Sequence, residues 1–567
     1  MATDISFIII FLVVLVLLAV PMGSYMASVF SGRPTFMTPL VRPLERLILR
    51  LCMVQESEDM SWRQYAFAFL IFNGIGFVAL FVLQLAQGHL PLNPMDFGAV
   101  RWDTALNTAV SFVTNTNWQA YGGETTMSYL TQMLGMTVQN FVSSAVGVAV
   151  LLPLVRAFTY KLKETIGNFW VDMTRVVLYV LLPLSIIFAF LLVSQGVVQS
   201  FHPYVKAETL KGAEQVIAVG PAASQIAIKQ LGSNGGGFFN ANSAHPFENP
   251  TPISNALELF AILLIPAALP FTFGRMVNNR QQGLAIFVAM MVLFLVGLCG
   301  VLAAEWSTNP LLLKAGIKDG INMEGKEVRF GVTQSALWAE TTTVTSNGSV
   351  NSMHDSAMPL AGLICMFNMA IGEVIFGGVG VGLIGMLMYA ILAMFLAGLM
   401  IGRTPEFLGK KLESYEMIMA VIVIVAPAIA SLIFAAIAVT TKTGLASLGN
   451  AGPHGLSEIL YAFFSAAGNN GSAFAGLNAN TVFYNLTLSF VMIVGRFMTI
   501  LPALAVAGSL ARKKIVPATT ATFPTASPLF AGLLVSVVVV VGALTFFPAL
   551  VLGPFLEHLM ILAGHTF

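Results

Sequence analysis

Charged residues are scarce in this chain of 567 residues, and that scarcity excludes most classes of soluble protein. Only 9% of the residues are charged, 57% are hydrophobic, and the mean hydropathy is +0.84. A soluble fold of this length has too little interior to bury so much apolar surface. The formal net charge of +1 also argues against a nucleic-acid partner, which would favour a basic surface. We therefore expect a polytopic membrane protein.

Cysteine and the motifs of soluble enzymes are nearly absent as well. The three cysteines (Cys52, Cys299 and Cys365) lie far apart and form no CxxC pair or Cys/His cluster. The seven histidines show no metal-binding spacing, and there is no GxxxxGKS or GxxxxGKT phosphate loop. A GxGxxG match at 380–385 follows no strand pattern. The sequence therefore predicts no catalytic site and no bound nucleotide in this chain.

Ten apolar runs approach the ~20 residues that a helix needs to cross a membrane. They occupy about 4–22, 66–86, 134–157, 173–196, 255–275, 283–304, 371–401, 415–439, 482–510 and 527–551. Four segments of roughly half that length lie between spans 2 and 3, 4 and 5, 6 and 7, and 8 and 9, at about 104–113, 222–231, 334–344 and 456–466. Half-length helices indicate segments that enter the membrane and turn back. The polar stretches at about 23–65, 197–221 and 305–333 are expected to be loops.

Basic residues set the predicted orientation of these spans. Most of the 27 Lys and Arg residues fall in one alternating set of loops: Arg33, Arg42, Arg46, Arg50, Arg63, Arg156, Lys161, Lys163, Arg175, Arg275, Arg280, Arg403, Lys410, Lys411, Arg512, Lys513 and Lys514. By the positive-inside rule these loops are cytoplasmic, so both termini and all four short segments face outside. Because every short segment emerges on one side, the quarters of the chain are parallel repeats. The predicted fold is an all-α polytopic membrane protein with ten transmembrane helices and four helix–pore loop–helix repeats around a pseudo-fourfold pore.

Each short segment runs into a turn rich in asparagine and glycine. The turns are Thr114-Asn115-Thr116-Asn117, Ser233-Asn234-Gly235-Gly236, Ser346-Asn347-Gly348-Ser349 and Asn469-Asn470-Gly471-Ser472. Aligned on the asparagines at 115, 234, 347 and 470, the first turn departs, because Thr116 stands where the others have glycine. A single Asn-Gly pair is usually only a tight turn. Four of them, each behind a half-length helix, favour a shared function in an asymmetric ring.

The chemistry of these turns suits a monovalent cation. A ring of backbone carbonyls can replace the hydration shell of such an ion, and glycine lets the carbonyls turn inward. A short helix that ends at the ring adds the negative end of its dipole. The turns contain no Asp or Glu, whereas divalent cations favour carboxylate ligands. We therefore predict a potassium filter formed by carbonyls of the four turns, with potassium as its only metal.

Three acidic residues follow the turns along the chain: Glu124, Glu248 and Asp355. Carboxylates at the mouth of a pore concentrate cations there. The alternative, that they are ordinary solvated acids of the outer loops, fits the sequence equally well.

The seventh predicted span contains an acidic residue and five glycines: Glu373, Gly377, Gly378, Gly380, Gly382 and Gly385. A charge within the bilayer costs ~2.5–3.5 kcal/mol or more. We favour a broken helix that acts as a gate beneath the filter; the alternative is close packing of small residues with Glu373 at a helix end. Arg496, within the ninth span, would either set the electrostatics below the filter or pair with Glu373.

Four segments give the chain a resemblance to a known family. They are TNTNWQAYGGE from Thr114, GSNGGGFFNANSAHPFENPTP from Gly232, TTTVTSNGSVNSMHDSAMPL from Thr341 and AAGNNGSAFAGLNANT from Ala466. With the ten spans and the loop polarity, they resemble KdpA, the potassium-binding A subunits of the bacterial Kdp ATP-driven potassium pump. The resemblance extends over the whole chain, and the segment from Gly232 is especially specific.

The resemblance implies a fold like four fused copies of a simple potassium channel, with one extra helix at each end. It implies that potassium passes from the outer filter through an intramembrane tunnel to a B subunit, which is a P-type ATPase. A C subunit and a small accessory peptide would complete this complex of the bacterial inner membrane, with both termini of the present chain in the periplasm. The resemblance also implies that Gln119, Gly235, Gly348 and Gly471 influence potassium affinity. It implies a role in coupling or gating for Glu373, Gly378, Gly380 and Arg496.

The repeats divide the chain into six parts: 1–60, an extra helix and cytoplasmic loop; 61–160, 161–280, 281–410 and 411–515, the four pore repeats; and 516–567, the second extra helix. Two other functions stay open. A stand-alone potassium channel or ion-coupled potassium transporter would conduct without ATP. A membrane-embedded enzyme would need a His/Asp/Glu constellation within the spans, which the sequence does not show.

Overall fold

The structure is a computed structural model that describes residues 2–318, 320–402, 404–517 and 523–565. Arg403, one of the residues predicted to be cytoplasmic, lies outside the described residues. The α-helices in chain order are α1 (Ala2–Phe30), α2 (Thr38–Leu51), α3 (Trp62–Ala86), α4 (Trp102–Val113), α5 (Gly123–Thr126), α6 (Val138–Ala157), α7 (Phe169–Arg175), α8 (Leu182–Ser194), α9 (Ala222–Leu231), α10 (Pro252–Met276), α11 (Arg280–Glu305), α12 (Pro310–Lys314), α13 (Gly331–Val344), α14 (Pro359–Ala370), α15 (Val381–Ile401), α16 (Ser414–Thr440), α17 (Lys442–Leu445), α18 (Gly452–Gly468), α19 (Val482–Arg512), α20 (Pro528–Leu550) and α21 (Leu556–Leu562).

Shorter elements extend or connect these helices. Wider π-helical turns extend three of the helices, at Thr131–Thr137, Val176–Leu181 and Val551–Phe555, and 3-10 turns lie at Gln87–His89, Asn242–Ala244 and His354–Ser356. The strands form two-stranded antiparallel pairs: β1 (Met60–Ser61) with β2 (Thr165–Gly167), β3 (Val205–Glu208) with β4 (Glu214–Ile217), and β5 (Glu406–Phe407) with β6 (Lys410–Lys411).

The long helices begin where the sequence offers ordinary capping chemistry. The hydroxyls of Ser61, Thr251, Thr481 and Ser527 each accept a hydrogen bond from a backbone N–H of the first turn that follows. Proline follows at the first helical position of α10 and α20. Such caps satisfy backbone donors that an apolar helix could not otherwise pair at the edge of a membrane.

Ten helices in the described residues are long and apolar enough to cross a membrane, as the sequence predicted. They are Asp4–Phe30, Trp62–His89, Thr131–Ala157, Phe169–Ser194, Pro252–Met276, Arg280–Lys314, Val381–Met400, Ser414–Thr440, Val482–Arg512 and Pro528–Leu562. Most residues of the helices Thr131–Ala157 and Pro252–Met276 are buried by protein, whereas most residues of the first helix, Asp4–Phe30, are not. The chain is therefore a multi-pass membrane protein.

The seventh span differs from its prediction. The sequence placed it at 371–401, but the helix there begins only at Val381, and a separate apolar helix, α14, ends at Ala370. Residues 371–380 form an irregular break between the two helices. The first half was missed because its twelve apolar residues follow a polar turn directly and fall well short of a complete span.

Each repeat contains two long helical segments with one short helix between them. The short helices are α4, α9, α13 and α18, and each one packs against the second long segment of the preceding repeat: α4 against α19, α9 against α6, α13 against α10, and α18 against α14. Because the first repeat thereby contacts the fourth, the repeats close into a ring. This arrangement gives the all-α fold with four repeats that the sequence predicted.

The remaining elements lie around this ring. Helix α1 packs along α10, and α20 packs against α11 and α15. The stretches predicted to be loops hold more structure than expected, including helix α2, helix α12 and the β3–β4 hairpin. Helix α2 was missed because its leucines and arginines fall on opposite faces, which keeps its average hydropathy low.

Candidate functional site

Four short helices each end immediately before one of the asparagine-rich turns. Their last residues are Val113, Leu231, Val344 and Gly468. The half-length segments predicted from the sequence all lie within these helices. Because the carboxyl end of a helix carries a partial negative charge, the four ends together favour a cation at the turns.

Two positions in every turn have left-handed backbone conformation. The first position holds Asn115 (φ 63°), Ser233 (48°), Ser346 (54°) and Asn469 (56°), and the second, two residues later, holds Asn117 (57°), Gly235 (79°), Gly348 (80°) and Gly471 (102°). We call the residue between them the middle residue of the turn. Repetition of the same unusual backbone geometry in all four turns shows that they are structural equivalents.

This geometry corrects the alignment made from the sequence. The middle residues are Thr116, Asn234, Asn347 and Asn470, so Asn117, and not Thr116, stands in the place of the glycines. The middle residues also share one backbone hydrogen bond, to the carbonyl five residues earlier: Thr116 to Ser111 (2.9 Å), Asn234 to Lys229 (2.8 Å), Asn347 to Thr342 (3.3 Å) and Asn470 to Ser465 (2.8 Å). The alignment of Asn115 with the other asparagines was therefore off by one residue, because equivalent positions in the turns are defined by backbone conformation and not by matching side chains.

Close contacts between the turns join them in a ring. A Cβ atom added to Gly235 would overlap the carbonyl oxygen of Asn347, and one added to Gly348 would overlap that of Asn470. A Cβ atom added to Gly471 would overlap the carbonyl oxygen of Thr116. Each glycine therefore packs against the middle carbonyl of the next turn, from the second turn through the third and fourth to the first.

The first turn completes the ring by a different contact. Asn117 carries a side chain, and its Cβ lies 3.1 Å from the position that a Cβ on Gly236 would take. Its amide donates to Asn140 Oδ1. The ring is asymmetric, as the sequence predicted, although the departure falls at Asn117 rather than at Thr116.

Asparagine side chains hold neighbouring turns together. Their amide groups donate from one repeat to another: Asn234 to Asn115 Oδ1 (2.7 Å), Asn347 to the carbonyl of Lys229 (3.3 Å), Asn470 to the carbonyl of Thr342 (2.7 Å), Asn469 to Thr116 Oγ1 (2.9 Å), and Asn115 to the carbonyl of Ser233 (3.0 Å). Some of these amides pair with side chains and others with backbone carbonyls of the neighbouring repeat, so they fix the position of each turn relative to the next.

Gln119 lies just beyond the first turn and bridges to the second repeat. Its Nε2 donates to the carbonyl of Gly237 (3.0 Å), and its Oε1 accepts from the backbone N–H of Gly237 (2.9 Å). This reciprocal pair fixes both faces of the amide. Gln119 therefore joins repeats one and two next to the ring.

The acidic residues beyond the turns are not free charges at a mouth. Glu248 is fully buried and paired with Lys229, so it is neither a cation-concentrating carboxylate at the mouth nor a solvated acid of an outer loop. Glu124 accepts a hydrogen bond from the backbone N–H of Asn240 (2.8 Å). Asp355 contacts His454 (3.2 Å). All three carboxylates hold loops together.

A cavity of about 50 Å³ adjoins the ring and the break in the seventh span. Its lining includes Asn115, Ser346, Asn469, Gly378 and Arg496. The guanidinium of Arg496 is buried and donates to the carbonyl of Ser143 (2.9 Å). A cation held at this place makes the cavity electropositive close to the turns.

Arg496 and Glu373 do not form the pair that the sequence suggested. Among the described residues no ion pair joins them. The carboxyl carbon of Glu373 instead lies 3.2 Å from the position of a Cβ on Gly468, at the end of α18. Glu373 is buried beside the fourth turn, and Arg496 is held by a backbone carbonyl.

The break at 371–380 is built from left-handed residues and packs on the ring. Gly372, Glu373, Phe376 and Gly380 all have positive φ, between 50° and 92°. A Cβ on Gly378 would lie 2.8 Å from Ser346 Cβ in the third turn. One on Gly380 would overlap a carbonyl of α6. The sequence prediction of a broken helix is therefore correct, and the break touches the turns directly.

Two charged groups escaped the sequence reading, one beside the ring and one at the opposite end of α18 from its turn. Lys229 lies in a short apolar helix and is fully buried against Glu248. His454, at the start of α18, contacts Asp355 and Glu557. The lysine was a usable signal, since a charge within a half-length apolar segment demands a partner. The histidine was not, because its partners lie far away in the sequence.

Comparison with known proteins identifies a family over nearly the whole chain. The family model of the potassium-transporting ATPase A subunit (KdpA) matches residues 9–559. A potassium-transporting ATPase potassium-binding subunit from Sorangium cellulosum is 58% identical over 565 residues, covering 97% of each chain. The protein of the same name from Herpetosiphon aurantiacus is 56% identical, covering 97% of this chain and 98% of its own.

A solved structure has the same fold at much lower identity. The potassium transporter TrkH from Vibrio parahaemolyticus superposes with a TM-score of 0.51 and 15% identity, covering 88% of this chain and 97% of its own. At that identity the likeness concerns the fold alone. The family match, in contrast, extends over nearly the whole chain and includes all four turns. This chain belongs to the KdpA family of potassium-transporting ATPase A subunits.

Proposed function

We propose that this chain binds potassium in the ring of four turns and serves as the ion-binding, translocating subunit of an ATP-driven potassium import pump. The observation that carries the proposal is the closed ring, in which each glycine packs against a middle carbonyl of the next turn. The proposed filter residues are Thr114, Asn115, Thr116, Asn117, Ser233, Asn234, Gly235, Gly236, Ser346, Asn347, Gly348, Asn469, Asn470 and Gly471.

Backbone carbonyls of these residues would replace the hydration shell of the ion. The four helix ends favour positive charge at the ring, and the absence of carboxylates from the turns favours a monovalent cation. Gln119 would set the geometry at the filter mouth. Relatives at 53–58% identity, named as potassium-binding subunits, support potassium as the ion.

The rest of the pump would come from partner chains. We infer that a P-type ATPase B subunit hydrolyses ATP, and that a C subunit and a small accessory peptide complete the complex in the bacterial inner membrane. Potassium would leave this chain through an intramembrane tunnel to the B subunit. The present chain would bind no nucleotide, and both of its termini would face the periplasm, as the distribution of basic residues favours.

A gate would lie directly beneath the ring. The break that contains Glu373, Gly378 and Gly380 touches the third and fourth turns, and Arg496 lines the same cavity. A buried cation there opposes straight passage of potassium toward the other side. The functional parts then follow the repeats, with the filter shared by 61–160, 161–280, 281–410 and 411–515 and the gate within 281–410.

Ion flux in liposomes tests this function. The purified chain alone should carry no potassium, and the assembled complex should carry potassium only when ATP is supplied. Potassium flux through the chain alone, without ATP, would instead identify a stand-alone channel or ion-coupled transporter. ATP-driven flux that does not distinguish potassium from sodium would reject the ring as a selective filter.

A further inference from the structure

The second turn has a support that the other three lack. Its middle residue bonds to the backbone carbonyl of Lys229, whose ammonium group is fully buried between Glu248 Oε2 (2.5 Å) and Asn242 Oδ1 (2.6 Å). The corresponding residues of the other turns are small and uncharged: Ser111, Thr342 and Ser465. A buried ion pair is costly to maintain, so its presence at one turn alone requires an explanation.

The amide of Asn242 links this ion pair to the ring. Its Nδ2 donates to the carbonyl oxygen of Gly235 at 2.6 Å. In the part of the chain that the structure describes, the equivalent carbonyl oxygens of Asn117, Gly348 and Gly471 accept no hydrogen bond. Among the carbonyls of these four equivalent residues, three therefore have no hydrogen-bond donor and the fourth, that of Gly235, has Asn242.

Lys229 fixes which way the Asn242 amide points, together with the backbone N–H of Ser243, which also donates to Asn242 Oδ1 (2.8 Å). An ammonium group only donates hydrogen bonds, so Oδ1 must face Lys229 and Nδ2 must face Gly235. Glu248 in turn accepts from Lys229 through Oε2 and from the backbone N–H of Phe239 through Oε1 (2.9 Å). A charged neighbour also polarises the amide and strengthens its donor.

We propose that Lys229, Asn242 and Glu248 form a brace that positions the Gly235 carbonyl and so sets the affinity and selectivity of the ring for potassium. This role of the brace rests on the proposed function of the ring. Gly235 has φ 79°, a region where the peptide has few restraints of its own. Held by Asn242, its carbonyl presents only part of its electron density to an ion. One ring level then combines three free carbonyls with one that is fixed in place.

Two sets of substitutions test the brace. Asn242→Gly removes the amide without backbone strain, because Asn242 has φ 55°, which suits glycine. Lys229→Met with Glu248→Gln removes the ion pair without leaving a buried charge unpaired, which would itself impair folding. The matched control is Lys326→Met with Glu305→Gln. The side chains of that pair are also nearly fully buried (4% and 3% exposed), and Glu305 likewise accepts from a backbone N–H, that of Met358, but the pair touches no turn.

The measurement is thermal stability of the full chain titrated with potassium, rubidium and sodium at fixed ionic strength. We expect the potassium concentration for half-maximal stabilisation to rise about ten-fold in both brace variants, as for loss of one charge-assisted hydrogen bond. Rubidium should approach potassium in effect. The control should respond as the unaltered chain does, even though its ion-free stability falls.

Each outcome decides one point. Brace variants with an unchanged potassium response and unchanged rubidium discrimination would overturn the brace. An equal response of the control and the brace variants would show a general loss of stability and would also overturn it. An unaltered chain that responds equally to potassium and sodium would instead overturn the proposed function, whatever the variants do.

Discussion

The second and fourth turns have the same backbone conformation but are held by different chemistry. Behind the second lies the buried Lys229–Glu248 ion pair. Behind the fourth lies a chain of uncharged hydroxyl and imidazole groups, in which Tyr461 contacts Ser472 (2.9 Å) and His354 (2.8 Å). The repeated part is the backbone that would meet the ion, and the supports behind it are free to differ. Equivalence at the ring therefore coexists with asymmetry in its surroundings.

The same contrast separates the third repeat from the others. The second long segments of repeats one, two and four continue as helices past the ring, whereas in the third repeat the chain breaks at 371–380 between α14 and α15. The turn of that repeat keeps the common geometry, with φ 54° at Ser346 and 80° at Gly348. Under the proposed function, ion binding and ion release would then be built on separate parts of the molecule.

The largest expected effect comes from breaking the equivalence of the turns themselves. Gly235→Ala would force a Cβ into the carbonyl of Asn347 and place alanine at φ 79°. The ring cannot keep its geometry, so potassium-dependent uptake by cells that rely on the complex should be lost. Gly235→Asp should do the same and also admit other cations, because it adds a carboxylate.

Gly331→Ala is the matched control for this loss. Gly331 also has positive φ (67°), but nothing lies within 4 Å of its Cβ position. The Gly331→Ala variant therefore carries the strain of alanine in a left-handed conformation, roughly 1–2 kcal/mol, without any contact at the ring. Normal uptake by Gly235→Ala cells would remove the glycine contacts from the account, and equal losses in both variants would reduce the effect to backbone strain.

A smaller effect should follow from charge at the mouth of the ring. Gln119→Arg breaks the reciprocal bonds to Gly237 and adds a positive charge. At an effective dielectric constant of 20, two like charges about 4 Å apart repel by about 4 kcal/mol. The potassium concentration for half-maximal ATP hydrolysis by the complex should rise by more than ten-fold. Gln119→Glu is the control, and a comparable rise with either charge would leave only the lost hydrogen bonds as the cause.

The separation of binding from release predicts a different response at Glu373. Glu373→Gln removes the ionisable carboxyl group from the break while keeping its shape, beside the fourth turn but outside the ring. ATP-driven potassium transport should change in maximal rate, and the half-saturating potassium concentration should stay within about two-fold. An altered half-saturating concentration at unchanged rate would assign Glu373 to the binding site instead of the gate.

The smallest expected effect concerns a support far from the ring. At the start of α18, outside the ten spans, His454 lies between Glu557 (2.8 Å) and Asp355 (3.2 Å). Burial lowers the pKa of His454, but hydrogen bonds to Asp355 and Glu557 outweigh that effect and raise the pKa from 6.5 to about 10. The folded state thus gains stability from the charged imidazole below pH 6.5 and loses it as the pH rises toward 10.

Thermal melts from pH 6.5 to 10 check this sign. The difference in melting temperature between the unaltered chain and His454→Gln should be largest near pH 6.5 and should shrink steadily as the pH rises. Potassium affinity should stay the same in both, because the histidine supports the first turn of α18 and not the asparagine-rich turn that follows its last residue. A constant difference over that range would mean that the imidazole is neutral throughout.

Much of the fold followed from hydropathy and length. The number of spans, the position of nine of them, the four short helices and the position of the turns were predicted correctly, because apolar runs of set length leave few alternatives in a membrane. The seventh span was misplaced because α14 has only twelve residues. Helix α2 was missed because amphipathic helices have low average hydropathy.

Less of the site could be predicted. The sequence located the turns but aligned them on Asn115, since matching side chains are visible and matching φ angles are not. It also left Glu248 as a free acid, because nothing in the sequence shows that the chain between Lys229 and Glu248 folds back to bury both. Of the two roles that the sequence left open for Arg496, pairing with Glu373 is not observed, because charge alone does not decide which of several buried partners is in reach.

The most direct test of the ring is the position of a bound ion. Rubidium scatters anomalously and is expected to replace potassium in a filter of carbonyls. In crystals of the complex grown in rubidium, an anomalous peak should lie among the carbonyl oxygens of the four turns, and matched sodium crystals should show no ion there. A rubidium peak elsewhere with an empty ring, or the same density in both salts, would contradict the assignment of the four turns as a potassium filter.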